Sequence, residues 1–252
     1  MEGVLMFDEK IGLAYFDNEV IFSKKDYYEA LLHNGYDKTF GSFLVNFQKL
    51  INSGLVRRIG RNAYCVADKS KKTYSHSYSN LACQVAECIV VNHPYMDFVI
   101  FETVQLNEFI NHQIGRNTLF VFVENDVIDF AFETIKNSFS GVVMLSPGIK
   151  EFHQYRNDNS IVLVRLVSES PKNAEIPWHE SVEKLLVDIM SEPLIKETFS
   201  KSEYEAVYEG VFERYTVDES KMFRYARRRN AAAKLWKFIN DDTSVHLKTE
   251  VM

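Results

Sequence analysis

Apolar residues recur at spacings of three and four over residues 40–51, which predicts a helix with one side facing a core. Gly54 follows in the position favoured for the left-handed residue that ends a helix. Upstream, Ser23 is placed to cap a helix over residues 24–32, and residues 33–36 are typical of a turn. The start of the chain is therefore predicted to hold two helices joined by a turn. The apolar positions of the second helix are Phe40, Phe43, Leu44, Phe47, Leu50 and Ile51.

Two short strands are predicted directly after this helix pair. Residues 55–59 and 63–66 read as strands, and Gly60-Arg61-Asn62 between them suits a tight turn. A helix pair followed by a hairpin is the sequence form of a winged helix-turn-helix. In that motif one helix enters the DNA major groove and the hairpin contacts the neighbouring backbone.

The remainder of the chain predicts a second, mixed domain. Residues 68–79 are polar, lack apolar periodicity and predict a linker, which places the domain boundary after residue 76. Beyond it, apolar runs alternate with helical patterns, which indicates a sheet covered on at least one face. The predicted strands are residues 98–101, 119–123, 141–145 and 160–167, and the main predicted helices are residues 81–91, 127–139, 181–190, 201–214 and 219–238.

These patterns predict an α+β protein of two domains. The first, residues 1–76, is expected to be a winged helix-turn-helix that binds DNA. The second, residues 77–252, is expected to be a mixed sheet-and-helix domain that ends in helices.

Charge is distributed unevenly between these two parts of the 252-residue chain, whose formal net charge is −6. The first 76 residues hold 11 lysines and arginines against 9 aspartates and glutamates, whereas the remainder holds 18 against 26. Any attraction for phosphate is therefore expected at the front of the chain. The sequence has neither a long apolar run nor a basic and apolar leader, which predicts a cytoplasmic protein without a membrane partner.

Polar side chains opposite the apolar stripe are the candidate DNA contacts of the second helix. Asn46 and Ser42 are of the types that read base edges, and Lys49 suits a phosphate. In the hairpin, Arg57 and Arg58 should point to opposite faces, so only one of them is expected to face the duplex. The predicted DNA contacts are Lys38, Thr39, Ser42, Asn46, Lys49, Arg57, Arg58, Arg61 and Asn62. The alternative is a protein-interaction module whose charges are simply solvated.

A second basic segment lies near the C-terminus, within the predicted helix over residues 219–238. One interpretation is a further contact with DNA, RNA or an acidic protein. The other is a helix whose cations complement its own carboxyl end and the acidic remainder of the domain. The candidate contacts are Arg224, Arg227, Arg228 and Arg229.

No enzymatic motif stands out. The sequence lacks a phosphate-binding glycine loop, an HExxH zinc motif and a GxSxG elbow, so no catalytic residue and no cofactor are predicted. The three cysteines form no CxxC pair, and no metal site is predicted. Acidic residues that flank two predicted strands leave a magnesium-dependent nuclease as a weaker alternative, although such residues are more often caps. They are Asp97, Glu102, Glu124 and Asp126.

Several segments together resemble a known family. They include TFGSFLVNFQKLINSGLVRRIGRNAYCV from Thr39, VEKLLVDIM from Val182 and RYARRRNAAAKLWKFI from Arg224. They are similar to the AbiEi-type antitoxins and transcriptional regulators of type IV toxin–antitoxin systems. The resemblance covers most of the chain after about residue 20. The first 20 residues depart from the family pattern and are expected to pack as an extra element on the winged module.

The resemblance implies a function for each domain. The winged helix-turn-helix would bind inverted repeats upstream of its own operon and repress it, with a recognition helix over residues 39–53 and a wing over residues 57–64. The second domain would oppose a nucleotidyltransferase-like toxin in a phage-defence locus. Direct contact with that toxin is not required in this family.

Overall fold

The computed structural model describes residues 12–17, 20–67, 70–173 and 175–248. Most of the first 20 residues and Lys69 therefore lie outside the described residues. The chain divides into two compact units: unit 1 holds residues 1–72, 218–220 and 247–252, and unit 2 holds residues 73–217 and 221–246. Helices and two separate sheets confirm the predicted α+β class.

Helices and strands are interspersed up to residue 165, and the elements described after it are all helical. The helices are α1 (Lys24–Leu32), α2 (Phe40–Asn52), α3 (Asn80–Asn92), α4 (Ile128–Ser138), α5 (Ile149–Tyr155), α6 (Val182–Ser191), α7 (Pro193–Lys196), α8 (Tyr204–Arg214), α9 (Glu219–Arg228) and α10 (Ala232–Asp242). The strands are β1 (Val56–Gly60), β2 (Ala63–Val66), β3 (Phe98–Glu102), β4 (Thr118–Val123), β5 (Val143–Leu145) and β6 (Ser160–Arg165). Short 3-10 turns cover Gly12–Tyr15, Thr103–Glu108 and Lys201–Glu203.

The helices of unit 1 begin and end at residues whose chemistry favours those boundaries. The Ser23 hydroxyl accepts a hydrogen bond from the Asp26 backbone N–H, and the Asp26 carboxylate accepts one from the Ser23 backbone N–H, which together form a capping box before α1. Thr39 caps α2 in a similar way, with its hydroxyl accepting from the Ser42 N–H. After α2, Gly54 adopts a φ of +69°, a left-handed conformation that costs glycine little.

The hairpin of unit 1 pairs β1 with β2 in antiparallel register. Phe22, just before α1, exchanges two backbone hydrogen bonds of 2.9 Å with Tyr64 of β2, so it extends the hairpin by a single-residue bridge. The core beneath is aromatic and includes Tyr27, Phe43, Phe47 and Tyr64. Phe40, predicted in the core stripe, is instead 42% exposed.

Unit 2 contains a four-stranded sheet in the order β3-β4-β6-β5. Strands β4, β5 and β6 are parallel, and β3 is antiparallel to β4 at one edge. Helices α3 and α4 pack on one face of this sheet through a cluster that includes Val85, Ile89 and Ile135. Helices α5 and α6 lie on the other face. There the ring centroids of Phe152 of α5 and Phe120 are 6.1 Å apart, and Lys184 of α6 lies over the Phe122 ring.

Two predictions about the chain's connections need correction. The helix predicted over residues 219–238 is two helices, α9 and α10, which are separated by a turn in which Asn230 has a φ of +52°. The last residues of the predicted linker are not a free connection, because the Tyr78 hydroxyl donates to the Ile100 carbonyl at 2.9 Å and Tyr74 is buried. Within the described ranges, no helix combines the length and the apolarity that crossing a membrane requires.

Candidate nucleic-acid interface

Helix α2 divides into a buried and an outward side. Phe43, Phe47 and Leu50 are each 1% exposed, and their spacing of three and four places them on one side of the helix. The predicted contacts lie on the remainder of the surface: Thr39, Ser42 and Lys49 are exposed, and Asn46 is half-buried. The pattern of apolar burial therefore determines which polar side chains a partner can reach.

The outward side chains of α2 are ordered by local hydrogen bonds. The Lys49 ammonium donates to the Asn46 side-chain oxygen at 3.2 Å, so a cation and an amide lie next to each other. The Thr39 and Ser42 hydroxyl oxygens are 3.2 Å apart, and Thr39 is already engaged in capping the helix. Asn46 with Lys49 is accordingly the pair best placed for an external ligand.

The hairpin presents two arginines outward and turns a third aside. Arg58 is exposed and its Nε donates to the Gly60 carbonyl at 3.1 Å, while Arg61 lies exposed in the turn. Arg57 is half-buried, and its guanidinium donates to the Lys71 carbonyl at 3.3 Å. Adjacent residues in a strand face opposite sides, which explains why Arg58 is exposed whereas Arg57 is half-buried.

Residues 38–67 contain three arginines and two lysines and no aspartate or glutamate. Lys38 is the first of these cations, and its ammonium lies 5.7 Å from the Tyr36 ring. Asn62 in the hairpin turn is exposed, has a φ of +55°, and accepts a hydrogen bond from the Lys24 backbone N–H at 3.4 Å. Lys24, a cation absent from the predicted contacts, thus begins α1 beside the hairpin. Local sequence spacing could not predict this contact, because Lys24 and Asn62 are 38 residues apart in the chain.

The second basic segment differs in its surroundings. Arg224 and Arg227 are exposed, but Arg228 forms an ion pair with Glu169. The Arg229 side chain is only 12% exposed, and its guanidinium donates to the Glu192 carboxylate at 2.8 Å and to the Ser191 hydroxyl at 3.0 Å. Arg229 is therefore part of the interior of unit 2, although the sequence placed it among exposed contacts.

Arg229 belongs to a buried network of charges centred on α6. The Lys184 ammonium donates to Asp188 at 2.5 Å and lies 3.4 Å from Glu180, with no part of the lysine exposed. Asp188 also accepts from the Tyr225 hydroxyl at 2.9 Å and lies 3.5 Å from Arg229. Burial opposes the charge of Arg229, yet the nearby Asp188 carboxylate keeps its pKa above the usual value. Burial raises the pKa of Glu180 to about 8, because its effect is larger than that of the Lys184 ammonium, which lowers the pKa.

Three of the four carboxylates behind the nuclease alternative, Asp97, Glu124 and Asp126, line one crevice in unit 2, but they do not form a group that could hold a metal ion. Asp97 directly precedes the five-residue strand β3, and Glu102 is its last residue. Asp97 forms an ion pair with Lys172 at 2.6 Å. Glu102 is buried and accepts hydrogen bonds from His76 at 2.8 Å, the Ser79 N–H at 2.8 Å and the Asn117 amide at 3.0 Å. Burial alone would raise the pKa of Glu102, but these hydrogen bonds lower it. Nowhere in the described part of the chain do three potential metal ligands come together.

Comparison with known proteins identifies the family. A model described as a family of unknown function, DUF6577, matches residues 42–245. The chain belongs to this family. The part that matches DUF6577 begins inside α2 and includes the hairpin and the whole sheet of unit 2.

A solved structure also shows similarity, the RV2827C protein from Mycobacterium tuberculosis. The two chains are 12% identical, and the match covers 99% of this chain and 84% of the other. The TM-score is 0.25, which is too low for conclusions about the fold of DUF6577. No curated protein matches the chain.

Proposed function

We propose that unit 1 is a winged helix-turn-helix that binds double-stranded DNA, with α2 as the recognition helix and the β1–β2 hairpin as the wing. The observation that carries this proposal is the acid-free basic stretch over residues 38–67, whose outward side chains lie on a helix and the hairpin that follows it. Phosphates supply most of the affinity of DNA-binding proteins, so a stretch that contributes cations and no carboxylates favours DNA.

Helix α2 has suitable dimensions and side chains for a major groove. It has 13 residues, and a helix of that length spans about 20 Å. The groove admits an α-helix, and an asparagine there can pair with an adenine edge through both its oxygen and its amide. Asn46 is a side chain of this type on the outward side, and Lys49 beside it suits the phosphate backbone.

The hairpin supports the same orientation. Arg58 is exposed on β1 and Arg61 is exposed in the hairpin turn, and the Phe22–Tyr64 bridge extends this hairpin by one residue. A cation at a hairpin tip can bind a phosphate or enter a narrow minor groove, where the potential is more negative. Arg57, bonded to the Lys71 carbonyl, is expected to brace the hairpin rather than contact DNA.

The biological role that we propose is autorepression by an antitoxin of a type IV toxin–antitoxin system. This part rests on the resemblance to AbiEi-type regulators, because the geometry of unit 1 supports a proposal of DNA binding and carries no information about a toxin. Under this proposal, unit 2 counteracts a nucleotidyltransferase-like toxin encoded beside it. Co-expression with the neighbouring reading frame tests it: a toxic neighbour whose effect this chain relieves is the expected result, and a non-toxic neighbour contradicts it.

A protein-interaction module remains the second candidate, and one observation favours it. Val45 is 62% exposed on α2, close to the proposed reading residues. An exposed apolar side chain can contact a thymine methyl group in DNA, but it can equally anchor a protein partner. A preference for specific DNA therefore has to be measured.

The decisive experiment measures fluorescence anisotropy with a duplex from the chain's own upstream region and with a scrambled duplex. We expect the full chain to prefer the upstream duplex. The double variant Arg58→Ala plus Arg61→Ala should bind more weakly and show a salt dependence flatter by about two units of slope, because each phosphate contact contributes about 0.9.

The matched control removes two cations that are not candidate contacts. Lys136→Ala plus Lys150→Ala changes the net charge equally, and both side chains are exposed on helices of unit 2. This variant should keep the affinity and the slope. If both double variants bind like the original chain, the wing assignment is wrong, and equal binding to both duplexes favours the protein-interaction alternative.

A further inference from the structure

An open crevice lies within unit 2 at one end of the sheet. Its volume is about 760 Å³, and its walls include residues 124–126, which follow β4, and residues 165–170, which begin at the end of β6. Small-molecule sites usually have volumes of roughly 300–1,000 Å³. The crevice therefore has room for a metabolite, and it involves none of the residues of unit 1 that are assigned to DNA.

The crevice occupies a special position in the topology. Strands β4 and β6 are parallel neighbours, Val123 pairs with Arg165 at their carboxyl ends, and the Leu166 N–H donates to the Val123 carbonyl at 2.7 Å. After β4 the chain continues into α4 on one face of the sheet, and after β6 it continues to α6 on the other. In open α/β sheets, ligands bind where neighbouring strands diverge in this way.

The charged groups of the crevice are only partly satisfied. Two of its cations, Lys172 and Arg228, form ion pairs with Asp97 and Glu169. The third, Arg165, is exposed, and its guanidinium makes no hydrogen bond or ion pair with any residue that the structure describes. A guanidinium without a partner in a crevice is suited to two parallel hydrogen bonds with an anionic group such as phosphate.

Two further features point to a ligand that carries hydroxyl groups. The Glu124 and Asp126 carboxylates are exposed in the wall formed after β4 and have no side-chain partner in the described ranges. Ser170 lines the other wall, and its buried hydroxyl makes no hydrogen bond. Carboxylates at the end of a parallel strand commonly accept hydrogen bonds from ribose hydroxyls, as in dinucleotide-binding sheets.

We propose that this crevice binds a mononucleotide, with Arg165 holding the phosphate and Glu124 or Asp126 accepting hydrogen bonds from the ribose. The chain lacks a glycine-rich loop, so the phosphate is held by a side chain instead of by backbone N–H groups. The proposal is independent of DNA binding by unit 1.

Isothermal titration calorimetry with the full chain tests the proposal. The probes are AMP, GMP, CMP and UMP, with inorganic phosphate and adenosine as fragments. We expect saturable 1:1 binding of at least one nucleotide, weaker binding of each fragment, and a loss of roughly tenfold or more in affinity for Arg165→Ala. Glu124→Gln plus Asp126→Asn should weaken nucleotide binding and leave phosphate binding unchanged.

The control variant is Arg116→Ala, which removes an exposed arginine close to the opposite end of β4. It should bind the nucleotide as the original chain does, and circular dichroism verifies that each variant is folded. The proposal is overturned if no nucleotide binds at millimolar concentration, if phosphate binds as tightly as every nucleotide, or if Arg165→Ala leaves the affinity unchanged.

Discussion

Two basic regions of this protein differ in the surroundings of their cations. On α2 and the hairpin, the cations of residues 38–67 share their stretch with no acidic residue, and Lys49, Arg58 and Arg61 are exposed. At the end of α9, Arg228 is paired with Glu169, and Arg229 lies among Asp188 and Glu192. The first region presents charge outward, and half of the second region's candidate arginines have carboxylate partners within the protein.

The difference shows why a count of cations along a helix is weak evidence for an anionic partner. Removing a cation that is paired inside the protein leaves buried carboxylates without a partner and destabilises the fold, whereas an unpaired cation remains available to phosphate. The two regions should therefore respond to different perturbations: the first to changes that alter DNA binding, the second to changes that alter folding.

The largest effect is expected for Arg229→Ala. Removing one partner of a buried ion pair typically lowers the free energy of unfolding by about 3–5 kcal/mol, because the remaining carboxylates lose their compensation. Urea denaturation followed by circular dichroism measures the loss. The affinity of the folded variant for DNA should not change.

Arg224→Ala is the control for this effect, since it lies in α9 and is exposed. Exposed substitutions usually change the free energy of unfolding by less than about 0.5 kcal/mol. Equal free energies of unfolding for the two variants would mean that Arg229 contributes no more to the fold than an exposed arginine does.

The second effect is expected from pH, through Glu180. Its pKa is raised to about 8 in the folded protein by burial, against about 4.3 for a free glutamate. Between these values the folded chain holds a proton that the unfolded chain releases, so this group's stabilising contribution falls as the pH rises and is constant above the upper value. Glu180→Gln removes the effect.

The variant should therefore gain stability relative to the original chain as the pH rises from 5 to 8, by at most about 1.4 kcal/mol per pH unit. Urea denaturation at several pH values gives this difference. Parallel pH profiles for the two proteins would mean that Glu180 is ionised in the folded state.

The smallest effect separates two neighbours on α2. Asn46→Ala should reduce discrimination at one base pair by about 1–3 kcal/mol, because a bidentate base contact is lost. Lys49→Ala should weaken binding to all duplexes alike and flatten the salt dependence by about one unit of slope. Anisotropy measurements with single-base variants of the upstream duplex distinguish them, and identical profiles would remove the division into a base reader and a phosphate contact.

Local chemistry was enough to predict most of the elements of this fold. Ser23, Thr39 and Gly54 each lie at the helix boundary where short-range hydrogen bonding or left-handed backbone favours them. The four strands of unit 2 correspond to four apolar runs, because a strand buried on both faces needs apolar residues at every position. The break between α9 and α10 was missed, since the apolar and basic pattern continues across Asn230.

The sequence by itself determined the α+β class, the core-facing side of α2 and the outward position of Lys49, since each follows from contacts within a few residues. Only the tertiary structure decided that Arg229 meets Asp188 and Glu192, about 40 residues earlier in the chain. It also decided that Arg165 faces a crevice beside β4. Residues so distant in sequence come into contact only when the chain packs. Those contacts determine whether a charged side chain is paired within the protein or is accessible to a ligand.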